Sequence, residues 1–196
     1  MMGKVVYFVR HGQTDWNAEG RLQGQADTDL NATGRAQASR NGELLRELVA
    51  DPSGFDFVSS PLRRTRQTME RIRAAMGLPE DGYRTDARLM ELHFGDWQGH
   101  TFAELETVEP DCFVRREADK WSFVPPGAGA ESYALLAERV RPFFDGLSGD
   151  TICVAHGGIL RSVLWLTNTM TPAECAAMSI PQDRILRLRD GALEWL

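Results

Sequence analysis

The stretch VVYFVRHG, residues 5–12, indicates the fold class of this 196-residue chain. It begins with an uninterrupted apolar run, and the polar residues Arg10 and His11 follow at once. A strand that is apolar throughout, instead of at alternate positions, is typical of a sheet covered on both faces, as parallel sheets are. The stretch TICVAHGG, residues 151–158, is almost as apolar and leads into His156. Two such stretches predict an α/β fold with a buried, mostly parallel sheet.

Strand-like and helix-like segments alternate along the rest of the chain. Strands are predicted at Lys4–Val9, Phe57–Ser60, Arg84–Ala87, Asp150–Ala155 and Arg184–Arg189. Helices are predicted from the N-cap Asn31 to about Ala50, from Pro61 to Met76, from Ser132 to Phe144, and after His156. This alternation predicts a three-layer sandwich in which helices flank the central sheet. Residues 97–130 interrupt the alternation and are predicted to form a small inserted lobe or lid within a single domain of residues 1–196.

Composition argues against several classes of protein. The net charge of −6, from 28 acidic and 22 basic residues, disfavours a nucleic-acid-binding surface. No stretch approaches the roughly 18 continuous apolar residues of a membrane span, and the first residues do not resemble a signal peptide. The cysteines, Cys112, Cys153 and Cys175, are too widely spaced to indicate a disulfide framework, so we expect a cytoplasmic protein. No motif typical of a metal site is present, and the sequence leaves the choice between monomer and dimer open.

Several polar residues follow the predicted strands directly. Ligands of open α/β sheets bind at the carboxyl ends of the strands, so residues at those ends are expected to lie together. Taken singly, each has an ordinary explanation, such as a solvated histidine, an exposed arginine or a surface carboxylate. Taken together, they predict a functional site at one edge of the sheet. These residues are Arg10 and His11, the group Arg63, Arg64 and Arg66, Glu91, and His156.

Blocks of sequence spread along the chain resemble the histidine phosphatase superfamily, which includes the cofactor-dependent phosphoglycerate mutases. An RHG triplet alone would be weak evidence, but here several blocks occur in the order of the family and cover most of the chain. The blocks are VRHGQTDWN at 9–17, LNATG at 30–34, SPLRRTRQT at 60–68, ELHFGDWQG at 91–99 and AHGGILR at 155–161.

The resemblance implies a metal-independent phosphatase that forms a phosphohistidine on His11. It implies that Arg10 and Arg64 hold the phosphoryl oxygens and that His156 donates a hydrogen bond to the same group. Glu91 would be the general acid that protonates the leaving oxygen. The remaining phosphate contacts are expected from Gly12, whose missing side chain would let the backbone approach the phosphoryl group, and from Asn17, Gln23, Gly24 and Gly157.

The acceptor of the phosphoryl group is left open between water and a sugar acid. Residues 126–132, PGAGAES, resemble an expanded form of an element found in the family's phosphatases, whereas Arg115 and Arg116 resemble a feature of its mutases. We expect a phosphatase acting on a small phosphorylated metabolite without a cofactor; a mutase would require 2,3-bisphosphoglycerate. A non-catalytic module that binds phosphorylated ligands is disfavoured, because the residues implied in catalysis are all present.

Overall fold

A six-stranded sheet forms the centre of the protein, as seen in a computed structural model that describes residues 4–196. Residues 1–3, which belong to the predicted single domain, lie outside the described residues. The strands are β1 (Val5–Arg10), β2 (Asp56–Ser59), β3 (Arg84–Thr85), β4 (Thr151–Ala155), β5 (Ile185–Arg189) and β6 (Ala192–Trp195). Their order across the sheet is β3-β2-β4-β1-β5-β6. The first four strands are parallel, while β5 and β6 run antiparallel to their neighbours, which confirms the predicted mostly parallel sheet.

Helices cover both faces of this sheet. The helices are α1 (Asp15–Ala18), α2 (Ala32–Leu48), α3 (Arg63–Ala75), α4 (Phe102–Val108), α5 (Cys112–Ala118), α6 (Tyr133–Asp145), α7 (Gly157–Leu166) and α8 (Pro172–Ala177). Short 3-10 turns lie at Pro52–Gly54, Ala87–Leu89 and Gly95–Trp97. No helix within residues 4–196 is both long and apolar enough to cross a membrane.

The alternation of side chains along β1 explains the three layers. Tyr7 points to one face and packs in a cluster with residues of α2 and α3, such as Leu45 and Met69. Phe8 points to the other face and packs with residues of α6 and α7, such as Leu136. Because successive residues of a strand point to opposite faces, an apolar run of this kind must be covered on both.

The predicted lobe at 97–130 contains α4 and α5 and shares the core of the second face. Trp97, Leu105, Cys112 and Trp121 are buried in the same cluster as α6 and α7. The predicted lobe therefore packs against the sheet-covering helices through its own apolar side chains.

The start of α3 and the carboxyl end of the chain differ from the predictions. Pro61 was expected to begin a helix, but α3 begins at Arg63, because the backbone N–H of Ser60 still bonds to the carbonyl of Val154 in the sheet. The strand β6 was not predicted. The sequence feature that could have revealed β6 is the pair Asp190-Gly191, since this pair favours a two-residue turn between antiparallel strands. Its φ angles of 51° and 79° are those of such a turn, which joins β5 to β6.

Candidate active site

The carboxyl ends of β1, β2 and β4 meet at one small cavity of about 160 Å³. Arg10 ends β1, His11 follows it, and Arg64 comes from the first turn of α3 after β2. His156 follows β4 and is fully buried, with its ring centroid 5.2 Å from that of His11. The predicted site residues that line the cavity are Arg10, His11, Asn17, Gln23, Gly24, Arg64, Glu91 and Gly157.

A larger surface groove of about 740 Å³ lies between α2 and α3 but contains none of these groups. Its wall includes Arg63, which forms an exposed ion pair with Asp29 at 2.8 Å. Exposed ion pairs contribute little and carry no chemistry by themselves, so the smaller cavity is the candidate active site.

The imidazole of His11 is held as a neutral ring with one free nitrogen. Its Nδ1 lies 2.7 Å from the backbone carbonyl of Gly12, and since a carbonyl can only accept, Nδ1 carries the proton. Burial lowers the pKa of His11 well below its usual value, and the charges of Arg64 and Arg10 lower the pKa further. His11 therefore presents an unprotonated Nε2, which is the form that a nucleophile requires.

The ring of His156 is also neutral and has one uncommitted nitrogen. Its Nε2 lies 2.8 Å from the hydroxyl of Ser60, while Nδ1 has no hydrogen-bond partner among residues 4–196. Burial is the main cause that lowers the pKa of His156, and the charge of Arg64 lowers it further. His156 is not among the residues that line the cavity, but its unpartnered Nδ1 is buried beside His11.

Arg10 and Arg64 are oriented by backbone carbonyls. Arg10 donates from Nη1 to the carbonyl of Ile180 at 2.6 Å. Arg64 donates to the carbonyls of Ala26 and Gly24, both at 2.7 Å. Burial lowers the pKa of Arg10 and lowers that of Arg64 to about 10. A guanidinium is not deprotonated in proteins near neutral pH, so both remain cations. Carbonyls fix the direction of a guanidinium without cancelling its charge.

Three buried side-chain nitrogens in the described part of the chain lack a hydrogen-bond partner, and all belong to this site. They are Nε of Arg10, Nε of Arg64 and Nδ1 of His156. A buried donor without a partner costs about 1–3 kcal/mol, so such groups are rare unless a ligand satisfies them. Two of the three nitrogens belong to cations, so their convergence favours an anion as the ligand of the cavity.

Among the described residues that line the cavity, Glu91 is the one that carries a carboxylate. Its oxygens accept hydrogen bonds from the backbone N–H groups of Leu92 at 2.9 Å and Gly158 at 3.1 and 3.2 Å. Gly158 lies in the first turn of α7, so the carboxylate lies at the positive end of a helix. Glu91 is thereby fixed at the rim of the anion-binding site.

The loop that carries Glu91 is held by Arg139 of α6, which the sequence did not single out. Arg139 donates to the carbonyls of Arg88 at 2.8 Å, Met90 at 3.0 Å and Glu91 at 3.3 Å. Its guanidinium also forms a two-bond ion pair with Glu131, at 2.8 Å for each bond. The three carbonyls belong to the loop at 88–91, and the ion pair with Glu131 fixes the guanidinium that binds them. Arg139 therefore holds the Glu91 loop in position.

Asn17 and Gln23 both line the cavity, as expected. The side-chain carbonyl of Asn17 accepts from the backbone N–H of Thr14 and from Gln182, each at 3.1 Å, which leaves its NH₂ group for the cavity. The side-chain carbonyl of Gln23 accepts from Thr28 at 2.7 Å, so its NH₂ group is likewise uncommitted. Both amides can donate to an anion.

Gly12 packs the loop after β1 against a helix. It is not among the residues that line the cavity, and its N–H donates to the hydroxyl of Thr68 at 3.1 Å. A Cβ at this position would collide with the backbone carbonyl of Gly34 in α2. The missing side chain therefore permits the loop after β1 to pack on α2, and the expected contact of Gly12 with a phosphoryl group stays a prediction.

The cavity wall includes five residues that the sequence did not predict. Arg161 lies four residues after Gly157 on α7, so helical spacing places both on one face and could have revealed it. Tyr133 begins α6, far away in sequence, and no local pattern connects it to the site. The unpredicted residues are Arg21, Leu22, Phe94, Tyr133 and Arg161.

Arg115 and Arg116, singled out in the sequence, do not reach the cavity wall. Arg115 forms an ion pair with Glu109, and Arg116 forms one with Glu117. Their charges are thus compensated within the 97–130 lobe.

Comparison with known proteins links the chain to a family. The profile of the histidine phosphatase superfamily (branch 1) matches residues 6–191. Glucosyl-3-phosphoglycerate phosphatase of Mycobacterium tuberculosis is 34% identical over 177 residues, covering 83% of this chain and 74% of that protein. A solved structure of a mycobacterial phosphatase of the same name, in complex with VO3, has a TM-score of 0.81 at 30% identity and covers 98% of this chain and 96% of that one.

Two further relatives carry different names. Metal-independent phosphoserine phosphatase of Arabidopsis thaliana is 32% identical over 191 residues, covering 94% of this chain and 76% of that protein. A 2,3-bisphosphoglycerate-dependent phosphoglycerate mutase of Methylocella silvestris is 29% identical over 187 residues, covering 91% of this chain and 88% of that protein.

The buried neutral histidines predict a pH-dependent stability. In the unfolded chain both histidines bind protons near pH 6.5, whereas burial keeps them neutral in the folded protein at that pH. The unfolded state then binds more protons, so we expect the free energy of unfolding to fall by about 2 kcal/mol between about pH 6.5 and 5.5. Urea denaturation at several pH values measures this change. His156→Gln should halve the slope and exposed His100→Gln should leave it unchanged; a free energy that is flat across the window would contradict the prediction.

Proposed function

The chain belongs to the histidine phosphatase superfamily, and from this premise we propose that it is a metal-independent phosphomonoesterase that works through a phosphohistidine on His11. The named relatives support a phosphatase acting on small phosphorylated metabolites. The phosphohistidine is our proposal from the site itself. We further propose a cytoplasmic location, supported by three cysteines that are all buried and unbridged.

The observation that carries the proposal is the set of unpartnered donors around a neutral nucleophile. Nε of Arg10, Nε of Arg64 and Nδ1 of His156 are buried without partners beside the free Nε2 of His11. In the tautomer that we propose, Nε2 of His156 accepts from the hydroxyl of Ser60 at 2.8 Å, so Nδ1 carries the proton. The three nitrogens then donate to the oxygens of a phosphoryl group and stabilise the charge that spreads over them during transfer.

The first chemical step is an in-line displacement at phosphorus. Nε2 of His11 forms a bond to phosphorus as the bond to the ester oxygen breaks, and Glu91 gives its proton to that oxygen. The carbonyl of Gly12 stabilises the positive charge that develops on the ring through the proton on Nδ1, at 2.7 Å. The product is an alcohol and a phosphohistidine.

The second step returns the enzyme to its starting state. The Glu91 carboxylate accepts a proton from water as the water oxygen bonds to phosphorus and the bond to Nε2 of His11 breaks. Inorganic phosphate leaves, and Glu91 is protonated again for the next cycle. The same arginines serve both steps, because the transferring group carries similar charge in each.

The pairing of Arg115 and Arg116 supports water as the acceptor. The resemblance implies that a mutase would use Arg115 and Arg116 to hold a sugar acid while the phosphoryl group returns to it. Both arginines are instead neutralised within the lobe. Transfer to a sugar acid with 2,3-bisphosphoglycerate as cofactor is the alternative, since a mutase is among the relatives.

Removal of the nucleophile should abolish the reaction. We expect His11→Ala to lower kcat/KM by about 10³-fold or more, because no other group of the cavity can carry the phosphoryl intermediate. Wild-type protein incubated with a ³²P-labelled ester and quenched in alkali should contain alkali-stable label, and the variant should contain none. His100→Ala, an exposed histidine, is the matched control; label retained in His11→Ala would refute the assignment.

Loss of the general acid should depend on the leaving group. We expect Glu91→Gln to lower kcat/KM for alkyl phosphates by about 10²- to 10⁴-fold but to have a small effect with 4-nitrophenyl phosphate, whose leaving group needs no proton. The parameter kcat/KM isolates the first step from hydrolysis of the intermediate. Glu138→Gln, on the exposed face of α6, is the control, and equal losses with both classes of ester would exclude the acid role.

A substrate panel separates the phosphatase from the mutase. Phosphorylated metabolites are assayed with and without 2,3-bisphosphoglycerate, and with EDTA. We expect phosphate release that needs no cofactor and is unchanged by EDTA, because the charge of the transferred group is met by arginines. Cofactor-dependent isomerisation of phosphoglycerate would identify a mutase, and inhibition by EDTA that added metal reverses would refute the metal-independent mechanism.

A further inference from the structure

Arg161 places a third guanidinium in the wall of the cavity, next to Arg10. A Cβ built on Gly157 would lie 3.3 Å from Nη1 of Arg161 and 3.6 Å from Nε of Arg10, so the two cations approach the same point. Burial is the main cause that lowers the pKa of Arg10, and the charge of Arg161 adds to that lowering. Two cations this close repel each other unless an anion lies between or beside them.

Backbone carbonyls orient Arg161 without neutralising it. Its Nε and Nη2 donate to the carbonyl of Met178 at 3.0 and 2.8 Å, two residues from the carbonyl of Ile180 that holds Arg10. One short loop therefore fixes both arginines side by side. Every polar contact of Arg161 within residues 4–196 is to a carbonyl or a hydroxyl, so its charge is available to a ligand.

Arg21, which also lines the cavity, shows the opposite arrangement. Its guanidinium forms ion pairs with Glu19 at 3.0 Å and Glu104 at 2.7 Å. Two carboxylates already compensate this charge, so Arg21 has little attraction left for a ligand. Arg10 and Arg64 are assigned to the phosphoryl group. Of the other two arginines in the described cavity wall, only Arg161 has no carboxylate partner.

Tyr133 adds a hydroxyl donor beside Arg161. Its oxygen accepts a hydrogen bond from Nη1 of Arg161 at 3.3 Å, and the phenolic hydrogen has no acceptor among the described residues. The ring is buried and stacks on Trp121, with centroids 6.2 Å apart and an interplanar angle of 20°. This packing holds the hydroxyl at the cavity wall, where it can donate to the same anion as Arg161.

We propose that Arg161 and Tyr133 form a subsite for the carboxylate of a compact phosphate ester, so that the enzyme acts on phosphorylated hydroxy or amino acids. This inference rests on the proposed function and deepens it. The planar guanidinium matches a carboxylate, and the phenol adds a second donor. The cavity is small, about 160 Å³, and Arg161 approaches Arg10 within it, so a carboxylate bound there lies close to the phosphoryl group.

The test compares substrates that differ only in the carboxylate. The pairs are 3-phosphoglycerate against glycerol 3-phosphate of matching configuration, and phosphoserine against phosphoethanolamine, with 4-nitrophenyl phosphate as the reference. For each pair the ratio of kcat/KM is measured in wild type, Arg161→Gln, Tyr133→Phe and the control Arg141→Gln. Arg141 lies on the exposed face of α6 and pairs with Glu138.

We expect wild type to prefer the carboxylate in each pair. Arg161→Gln should reduce this preference about ten- to a hundredfold, the range for losing a hydrogen bond to a charged group, mostly through KM. Tyr133→Phe, which removes one oxygen and preserves the stacked ring, should reduce it by a smaller factor in the same direction. Turnover of 4-nitrophenyl phosphate, which has no carboxylate, should fall by a smaller factor than turnover of the carboxylate esters in both variants.

Several outcomes would overturn the subsite. One is a wild-type enzyme without preference for the carboxylate; another is an equal loss with all esters in Arg161→Gln and Tyr133→Phe, which would make Arg161 a third ligand of the phosphoryl group. Calorimetric titration of both 3-phosphoglycerate and glycerol 3-phosphate into His11→Ala protein, with and without Arg161→Gln, gives a readout independent of turnover. If wild type hydrolyses no ester, the proposed function fails, and this binding comparison alone decides whether the subsite exists.

Discussion

The structure of the site depends on burying positive charge that no carboxylate pairs with directly. Arg10, Arg64 and Arg161 are each oriented by main-chain carbonyls of loops at the sheet edge. Removing a guanidinium from water is costly unless it gains compensating contacts, and carbonyl dipoles compensate only in part. The positive charge that the carbonyls leave uncompensated attracts an anion. The parallel sheet makes this arrangement available, because strand ends and helix starts meet at one edge and their loops supply the carbonyls.

The same buried charge sets the protonation state of the histidines. Desolvation first, and the charges of Arg64 and Arg10 in addition, lower the pKa of His11 and of His156. These effects keep both rings neutral. A phosphate ester would bring negative charge that opposes them and would accept a hydrogen bond from His156. The nucleophile and the donor that we propose are thus identical side chains, distinguished by the carbonyl of Gly12 on one and the hydroxyl of Ser60 on the other.

Sequence reasoning succeeded where chemistry is local and failed where it depends on distant contacts. The apolar run of β1 predicts burial on both faces, and the strand-end rule then places His11 and His156 together. The start of α3 was wrong because the ladder to β4 extends through Ser60, a contact that no local pattern reveals. The close approach of Gly12 to Gly34 of α2 is likewise a contact between distant parts of the chain that no local pattern reveals. Arg139 and Tyr133 likewise reach the site from α6, a long way along the chain from the strand ends.

The two ends of a substrate are recognised by parts of the fold that differ in how they are supported. The phosphoryl end meets groups fixed by the sheet edge, whose positions follow from strand pairing. The other end meets Tyr133, whose ring is held by Trp121 of the 97–130 lobe. A change in the lobe can therefore shift the hydroxyl beside Arg161. The lobe also contacts the loop that holds Arg64, because the side-chain carbonyl of Gln98 accepts from the N–H of Gln25 at 2.7 Å, next to the Gly24 carbonyl that orients Arg64. The lobe is thus linked to both ends of the cavity, and a change in it can alter substrate selection and phosphoryl transfer together.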